Sequence, residues 1–453
     1  MMVERHFAVG FWRAGSWYRA GLGLVVAAGL CALPTSAQGG LFSRHKADSE
    51  PQQQAKPGLS PSQPPAFAIP VEPLGFFAPG AFYQGQRESL VSLDFLDEDR
   101  LLFTFHVPGL IRRAGDPSID GSERQIRAVV LKLPEGSVTS EALWTLHDRA
   151  RYVWMLKDGR FLLRDRNDLQ VSDGRLETKP LFHFQGPVLW LEMDPTQQMI
   201  VTNSREPEGS KGKEGDVPSP TTASANVGID VLEMTSKPDI VLRILRRVSG
   251  KVMLVSRVRS TIHLAINSEG YLETLRSTRG REWILNLNYF SGGNRVIGKF
   301  ESACTPAVEF ISDTMILATT CNADGSRGMI AMSTDGRRLW SASSPPTQIW
   351  PRLTMAPNGM WLARETLTAS HPVETMAPLS FDDVKGQLVE VYDTTSGMRV
   401  LTTPASPVLD GGGNVAISPS GKRVAVLNAG AIQVFELPPS AVASSADDKS
   451  ATH

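Results

Sequence analysis

Charge imbalance is missing from this chain of 453 residues: 46 Lys and Arg stand against 47 Asp and Glu, a formal net of −1. That balance gives no global electrostatic reason to expect nucleic acid or an anionic membrane surface as a partner. Histidine is scarce, eight residues scattered along the chain, and none sits at a metal-ligand spacing such as His-Glu-x-x-His. No metal and no cofactor is expected. No Gly-x-Ser-x-Gly, paired-carboxylate or Cys–His arrangement can be read from spacing, so no catalytic residue is assigned. Asp410-Gly411-Gly412-Gly413 lacks the Lys-[Ser/Thr] and the helix of a phosphate-binding loop. Asn322-Ala323-Asp324-Gly325-Ser326 lacks the spaced acidic ligands of a calcium loop. Cysteine is scarcer still, with only Cys31, Cys304 and Cys321.

The N-terminus has a recognisable order. Arg5, Arg13 and Arg19 oppose a single Glu4, and Ala20 to Leu33 is an uncharged run of 14 residues ending at Pro34-Thr35-Ser36-Ala37. A basic region, a short apolar core and a small-residue ending describe a secretory signal, cleaved after Ala37. The run falls short of the ~20 residues that span a bilayer; a retained anchor is the alternative. Leu30 before Cys31 is not the small residue that lipidation requires. The expected product is exported, periplasmic or extracellular, monomeric, and without stable membrane insertion. Removal of residues 1–37 leaves Cys304 and Cys321, a disulfide candidate in an oxidising compartment. If the hairpin between them turns symmetrically at Ser312-Asp313, Phe310 faces Met315 and the two cysteines face one another. Residues 38–66, rich in Gln, Pro and Ser, read as a flexible tether, and residues 438–453 as a disordered tail.

From Phe67 to Leu437 short apolar runs alternate with Gly, Pro, Asn and Asp turns, the pattern of antiparallel β-meanders. Ser89 to Phe105 and Ile126 to Leu146 form two hairpins, and Tyr152 to Arg164 and Leu169 to Phe184 two more, turning at Asp158-Gly159 and Asp173-Gly174. Asp-Gly between apolar runs is a strong hairpin signal, with both turn residues expected at positive φ. Seven such units recur at a period of about 50 residues, near that of propeller repeats. The fold class is therefore all-β, a seven-bladed β-propeller of four-stranded antiparallel blades. The irregular unit Lys251 to Phe290 leaves six or eight blades as alternatives. The last unit, Asn414 to Leu437, shows three strands, so Pro70 to Tyr83 is expected to close the ring beside Ile432 to Leu437.

Ala416 to Ala425 (AISPSGKRVA), Val389 to Arg399 (VEVYDTTSGMR) and Met329 to Trp340 (MIAMSTDGRRLW) resemble the repeats of WD40-like and quinoprotein-like (PQQ-like) bacterial propellers. The resemblance implies a disc with a central channel and carries no catalytic residues. The Trp-Asp dipeptide of eukaryotic WD40 repeats is absent, as is the adjacent Cys-Cys pair of quinoprotein dehydrogenases.

Two groups of residues stand out. His147-Asp148-Arg149 invites an acid/base reading, but adjacent residues rarely point at one another, and a hydrogen-bonded loop between blades is the expectation. Trp144, Trp283 and Trp340 recur at one place in their units and are expected to pack between blades. In a four-stranded blade the second-to-third connections lie on one face of the disc, and here they are long: His106 to Gln125, Ser204 to Val227 and Glu365 to Gln387. Long loops inside a compact domain are usually functional or disordered. Arg112, Arg113 and Asp116 in the first, and His371, Phe381 and Asp382 in the last, mix apolar and charged groups as contact surfaces do. A non-catalytic module binding a protein or polymer partner on this face is the leading expectation. A hydrolase or lyase acting on a glycan or peptide at the channel mouth is the alternative.

Overall fold

The computed structural model describes residues 63–79, 88–108, 123–206, 239–278, 280–373 and 380–439. It is all β apart from short 3-10 turns. Strand β1 (Phe67–Pro70) comes first, followed by one blade made of β2 (Val91–Phe95), β3 (Arg100–Val107), β4 (Arg124–Lys132) and β5 (Ser137–Leu146). The second blade is β6 (Val153–Met155), β7 (Phe161–Asp165), β8 (Asp168–Ser172) and β9 (Thr178–His183). The third is β10 (Val188–Met193), β11 (Met199–Arg205), β12 (Ile240–Arg246) and β13 (Val252–Val258). The fourth contains β14 (Gly270–Arg276), β15 (Glu282–Tyr289) and β16 (Asn294–Glu301). Its innermost piece is a short segment in which Ile266 bridges to Tyr271 and Ala265 accepts from the Leu272 amide at 2.9 Å.

The fifth blade is β17 (Ala307–Ser312), β18 (Met315–Cys321), β19 (Arg327–Ser333) and β20 (Arg338–Ser344). The sixth is β21 (Gln348–Met355), β22 (Trp361–Ala369), β23 (Val384–Asp393) and β24 (Arg399–Ala405). The seventh joins β25 (Val415–Ile417), β26 (Arg423–Asn428) and β27 (Ala431–Glu436) to β1. The chain is a seven-bladed β-propeller.

Two expectations about its layout need correction. The closing strand is Phe67–Pro70, with Phe67 opposite Val434 and Pro70 opposite Ala431, not Pro70 to Tyr83. Beyond Pro70 the chain turns through a short 3-10 helix, Glu72–Leu74, and Phe76 packs edge-on against Phe103 and Phe105, centroids 5.4 Å apart in both cases. Lys251 to Phe290 is not one blade either: β13 is the outer strand of the third blade, and the fourth runs on through β16.

The core is divided among the gaps between blades. Side chains alternate across a strand, and in the second strand of each blade both sets are buried. Leu101, Phe103 and Phe105 pack toward the seventh blade, while Leu102 packs toward the second. Met199 and Val201 face the fourth blade, whereas Ile200 faces the second. Strands covered on both faces read as continuous apolar runs, which is why these stretches stood out in the sequence. Tryptophans fill several of the same gaps. Trp340 donates its indole N–H to the Thr394 carbonyl of the sixth blade at 2.6 Å, Trp144 packs on Phe161 of the second, and Trp283 is buried in the gap with the fifth.

The tight turns use fewer strained residues than expected. At Asp158-Gly159 only Gly159 has positive φ, +76°; Asp158 instead accepts the Arg160 amide through Oδ1 at 3.2 Å. Asn358 and Asp335 make the same local bond to the second residue after them. This is the Asx-turn habit that makes Asn and Asp frequent in turns. At Asp173-Gly174 the left-handed residue is Leu176, at φ +64°.

Cys304 and Cys321 form a disulfide with Cα atoms 5.5 Å apart. The register differs from the symmetrical turn: Phe310 faces Ile316, and beyond an irregularity Met315 faces Ser312 rather than Phe310. Cys304 lies just before β17, where the Ala303 amide bonds to the Cys321 carbonyl at 2.7 Å and holds the two sulfurs within reach.

Candidate functional site in the central channel

The innermost strands of all seven blades line a cavity of about 210 Å3 on the channel axis. Its walls include strand ends and the turns at Asp194 and Pro357, so it opens toward the face of the tight turns. Six charged residues line it: Asp94 of β2, Arg151 just before β6, Glu192 of β10, Glu309 of β17 and Arg352 of β21, from five blades, and Asp194, whose carboxylate is taken up by the Thr196 and Met199 amides of its own turn. The fourth and seventh blades supply only apolar wall, such as Ile266 and Ile417. No His, Ser or Cys lies among the lining residues.

The charges are not equally compensated. Asp94 Oδ2 accepts the Ser92 hydroxyl at 2.6 Å; burial pushes its carboxyl above the usual range, against the pull of Arg352, the Ser92 bond and Arg151. Arg151 donates through Nε to the Val153 carbonyl at 2.9 Å and lies 5.1 Å above the Trp154 ring. Burial and the like charge of Arg352 bring it down to about 10, with Glu192 and Asp94 opposing. Glu309 keeps some solvent contact through the channel, yet protein surrounds it. Burial, reinforced by the charge of Glu192, pushes its carboxyl up to about 7, and only Arg151 pulls the other way. Among the described residues neither Glu309 nor Arg352 makes a hydrogen bond or ion pair.

Behind Arg352 lies Glu365 of β22, fully buried. Burial raises its carboxyl, and Arg352, the Gly413 and Asn414 amides and Gln387 oppose that rise. The Gly413 N–H reaches both Glu365 oxygens at 3.0 Å. Here the glycine-rich stretch finds its role. Gly413 sits at φ +109°, and a Cβ there would come within 2.1 Å of the Val91 carbonyl oxygen. Only glycine lets the connection between β24 and β25 pass this close to the inner strand of the neighbouring blade.

None of the residues expected at a site belongs to this charged group. Arg112, Arg113 and Asp116 lie outside the described residues. His371 and Asp382 are exposed in the connection between β22 and β23, and Phe381 opens the short 3-10 helix Phe381–Asp383. His371 donates through Nδ1 to the Pro372 carbonyl at 3.0 Å and pairs through Nε2 with Asp383 at 3.3 Å. The Pro372 carbonyl, with Asp383, holds the imidazole above its ordinary range.

His147 and Asp148 do not pair with one another. His147 bridges Glu123 at 3.0 Å and Asp165 at 3.0 Å, while Asp148 accepts from Arg164 at 3.0 Å and from the Arg166 amide. They form the hydrogen-bonded inter-blade loop expected of them. Asn322 and Ser326 likewise close a polar turn through their side chains at 2.8 Å.

The channel residues escaped the sequence reading because they converge from positions far apart. The signal available was a charged residue inside an apolar run in the first strand of a unit: Leu93-Asp94-Phe95, Leu191-Glu192-Met193, Val308-Glu309-Phe310. Such a residue has no outward face to occupy, so it must face the axis.

No protein-family model and no curated protein matches the chain. Solved structures similar to it include the C-terminal WD40 domain of Sif2, at 10% identity and TM-score 0.38 over 78% of this chain and 98% of that one. A chain of the mitotic checkpoint complex is similar at 11% identity and TM-score 0.38, over 83% and 95% of the two chains. An acylaminoacyl peptidase of Pyrococcus horikoshii is similar at 9% identity and TM-score 0.45 over 79% of this chain. The match spans about half of that peptidase, 53% of its length. The strand order itself makes the chain a seven-bladed β-propeller.

Proposed function

We propose that the chain is an exported, non-catalytic binding propeller that recognises a protein or polymer partner through the long connections of one face. One observation carries this reading. The connections 108–123, 206–239 and 370–383 all join the second strand of a blade to the third, and so emerge on the same face. On the opposite face no turn within a blade exceeds five residues. Insertions of this length in a compact fold are usually retained for function or tolerated as slack, and their gathering on one side favours function. Arg112, Arg113, Asp116, His371, Phe381 and Asp382 are the proposed contacts, one apolar anchor, Phe381, among charged and polar groups. The test starts from a partner captured from envelope extract with the chain from Gln38 onward, its affinity then measured with purified components. Shortening 108–123 or 370–383 is expected to weaken binding at least tenfold with Tm unchanged. Unchanged affinity in both variants would move the site elsewhere.

A second reading, a hydrolase or lyase on a glycan or peptide at the channel mouth, is favoured by the convergence of Asp94, Glu192, Glu309 and two arginines. A carboxyl titrating near neutrality suits a general acid or base. Turnover of glycan or peptide substrates by the wild type, lost in Glu309→Gln, would establish the enzyme.

A further inference from the structure

The cavity at the channel axis offers unsatisfied groups of both signs. Among the described residues the Glu309 carboxyl and the Arg352 guanidinium make no side-chain hydrogen bond or ion pair. Buried polar groups are ordinarily hydrogen-bonded. A lone cation would answer Glu309 and leave Arg352 idle. A lone anion would answer Arg352 while leaving Glu309 facing Glu192.

Glu309 and Arg352 do not answer one another. The charges acting on Glu309 are Glu192 and Arg151, with Arg352 not among them. Arg352 acts instead on Asp94 and Glu365. Apolar wall is supplied by Ala265, Ile266, Phe310, Ile311 and Met355. At about 210 Å3, the space is below the ~300–1,000 Å3 of pockets that enclose drug-sized molecules.

We propose that this cavity binds a small zwitterion of the amino-acid class, its ammonium group between Glu192 and Glu309, its carboxylate on Arg352, and an aliphatic side chain against the apolar wall. This site opens on the tight-turn face and does not depend on the partner reading of the opposite face.

The test uses the chain from Gln38 onward. The twenty amino acids are screened by thermal shift, and calorimetry then compares leucine, isopentylamine, which lacks the carboxylate, and 4-methylpentanoate, which lacks the ammonium. Leucine is expected to bind at least tenfold tighter than either analogue. Arg352→Gln should erase the advantage over isopentylamine, and Glu309→Gln the advantage over 4-methylpentanoate. A variant shortened at 370–383 should bind leucine as the wild type does, even if its partner affinity falls. No binding of any amino acid, or an analogue binding as tightly as leucine, overturns the proposal.

Discussion

At the scale of the residue, the clearest consequence of the channel is pH dependence. Glu309 is raised in the fold to about 7, first by burial and then by Glu192, with Arg151 opposing. The folded state therefore holds its proton longer than the unfolded chain does. Below the ordinary carboxyl range both states are protonated and the site costs nothing. As pH rises from there toward 7 the unfolded chain ionises first and stability is lost. Glu309→Gln should leave stability unchanged near pH 4 and raise it by roughly 1–3 kcal/mol at pH 8. Urea unfolding of both proteins at the two pH values reads this directly, and equal shifts at both would contradict it. The Cys304–Cys321 bridge, 17 residues apart, belongs to the same scale. Its removal by Cys304→Ser with Cys321→Ser should cost about 3 kcal/mol in the chain-entropy model, often less in practice. Thiol titration of unfolded, unreduced chain from Gln38 onward should find no free cysteine.

At the scale of the element, the connection between β24 and β25 is the sharpest case of backbone doing what a side chain cannot. Gly413→Ala places a methyl group against the Val91 carbonyl and removes the Glu365 amide bonds if the loop retreats. A loss of roughly 1–3 kcal/mol, the usual cost of strain at a special φ, should appear as a lower denaturation midpoint. The sequence showed why this stretch is not a phosphate loop but not what it packs against, because its neighbours lie 48 residues away and beyond. Elements punctuated by Asx-Gly turns were legible, since such turns impose local geometry whatever the surroundings. The fourth blade was not, because its inner strand is reduced to the bridge at Ile266 and carries no such turn pair. The closing strand was misplaced for a similar reason. Phe67–Pro70 is only four residues long, while the aromatic stretch after it looked more like a strand. Phe76 instead covers the end of the first blade.

At the scale of the whole molecule, the ring is held shut by contacts between Phe67–Pro70 and Ala431–Val434. The buried Ile69 joins the same cluster as Ile432 and Leu93. A chain starting at Gln63 should match the chain from Gln38 in Tm. One starting at Val71 should melt lower and less cooperatively, because the seventh blade loses a strand and the first loses its cover. Equal melting of the two shortened chains would show that the latch contributes nothing. The latch also brings the two ends of the fold side by side, the Gln63 amide reaching the Glu436 carbonyl at 3.2 Å. A closed ring whose ends touch has no privileged starting point, so a circular permutant that links residue 437 to residue 63 and opens at Asn358 should reach the same disc. What would change is kinetics. Among the described residues the native latch is the strand pairing of greatest sequence separation, and such contacts form slowly because loop entropy must be overcome first. Permutation makes that pairing local and assigns the long-range step to the sixth blade, so refolding should run at a different rate toward an unchanged native state.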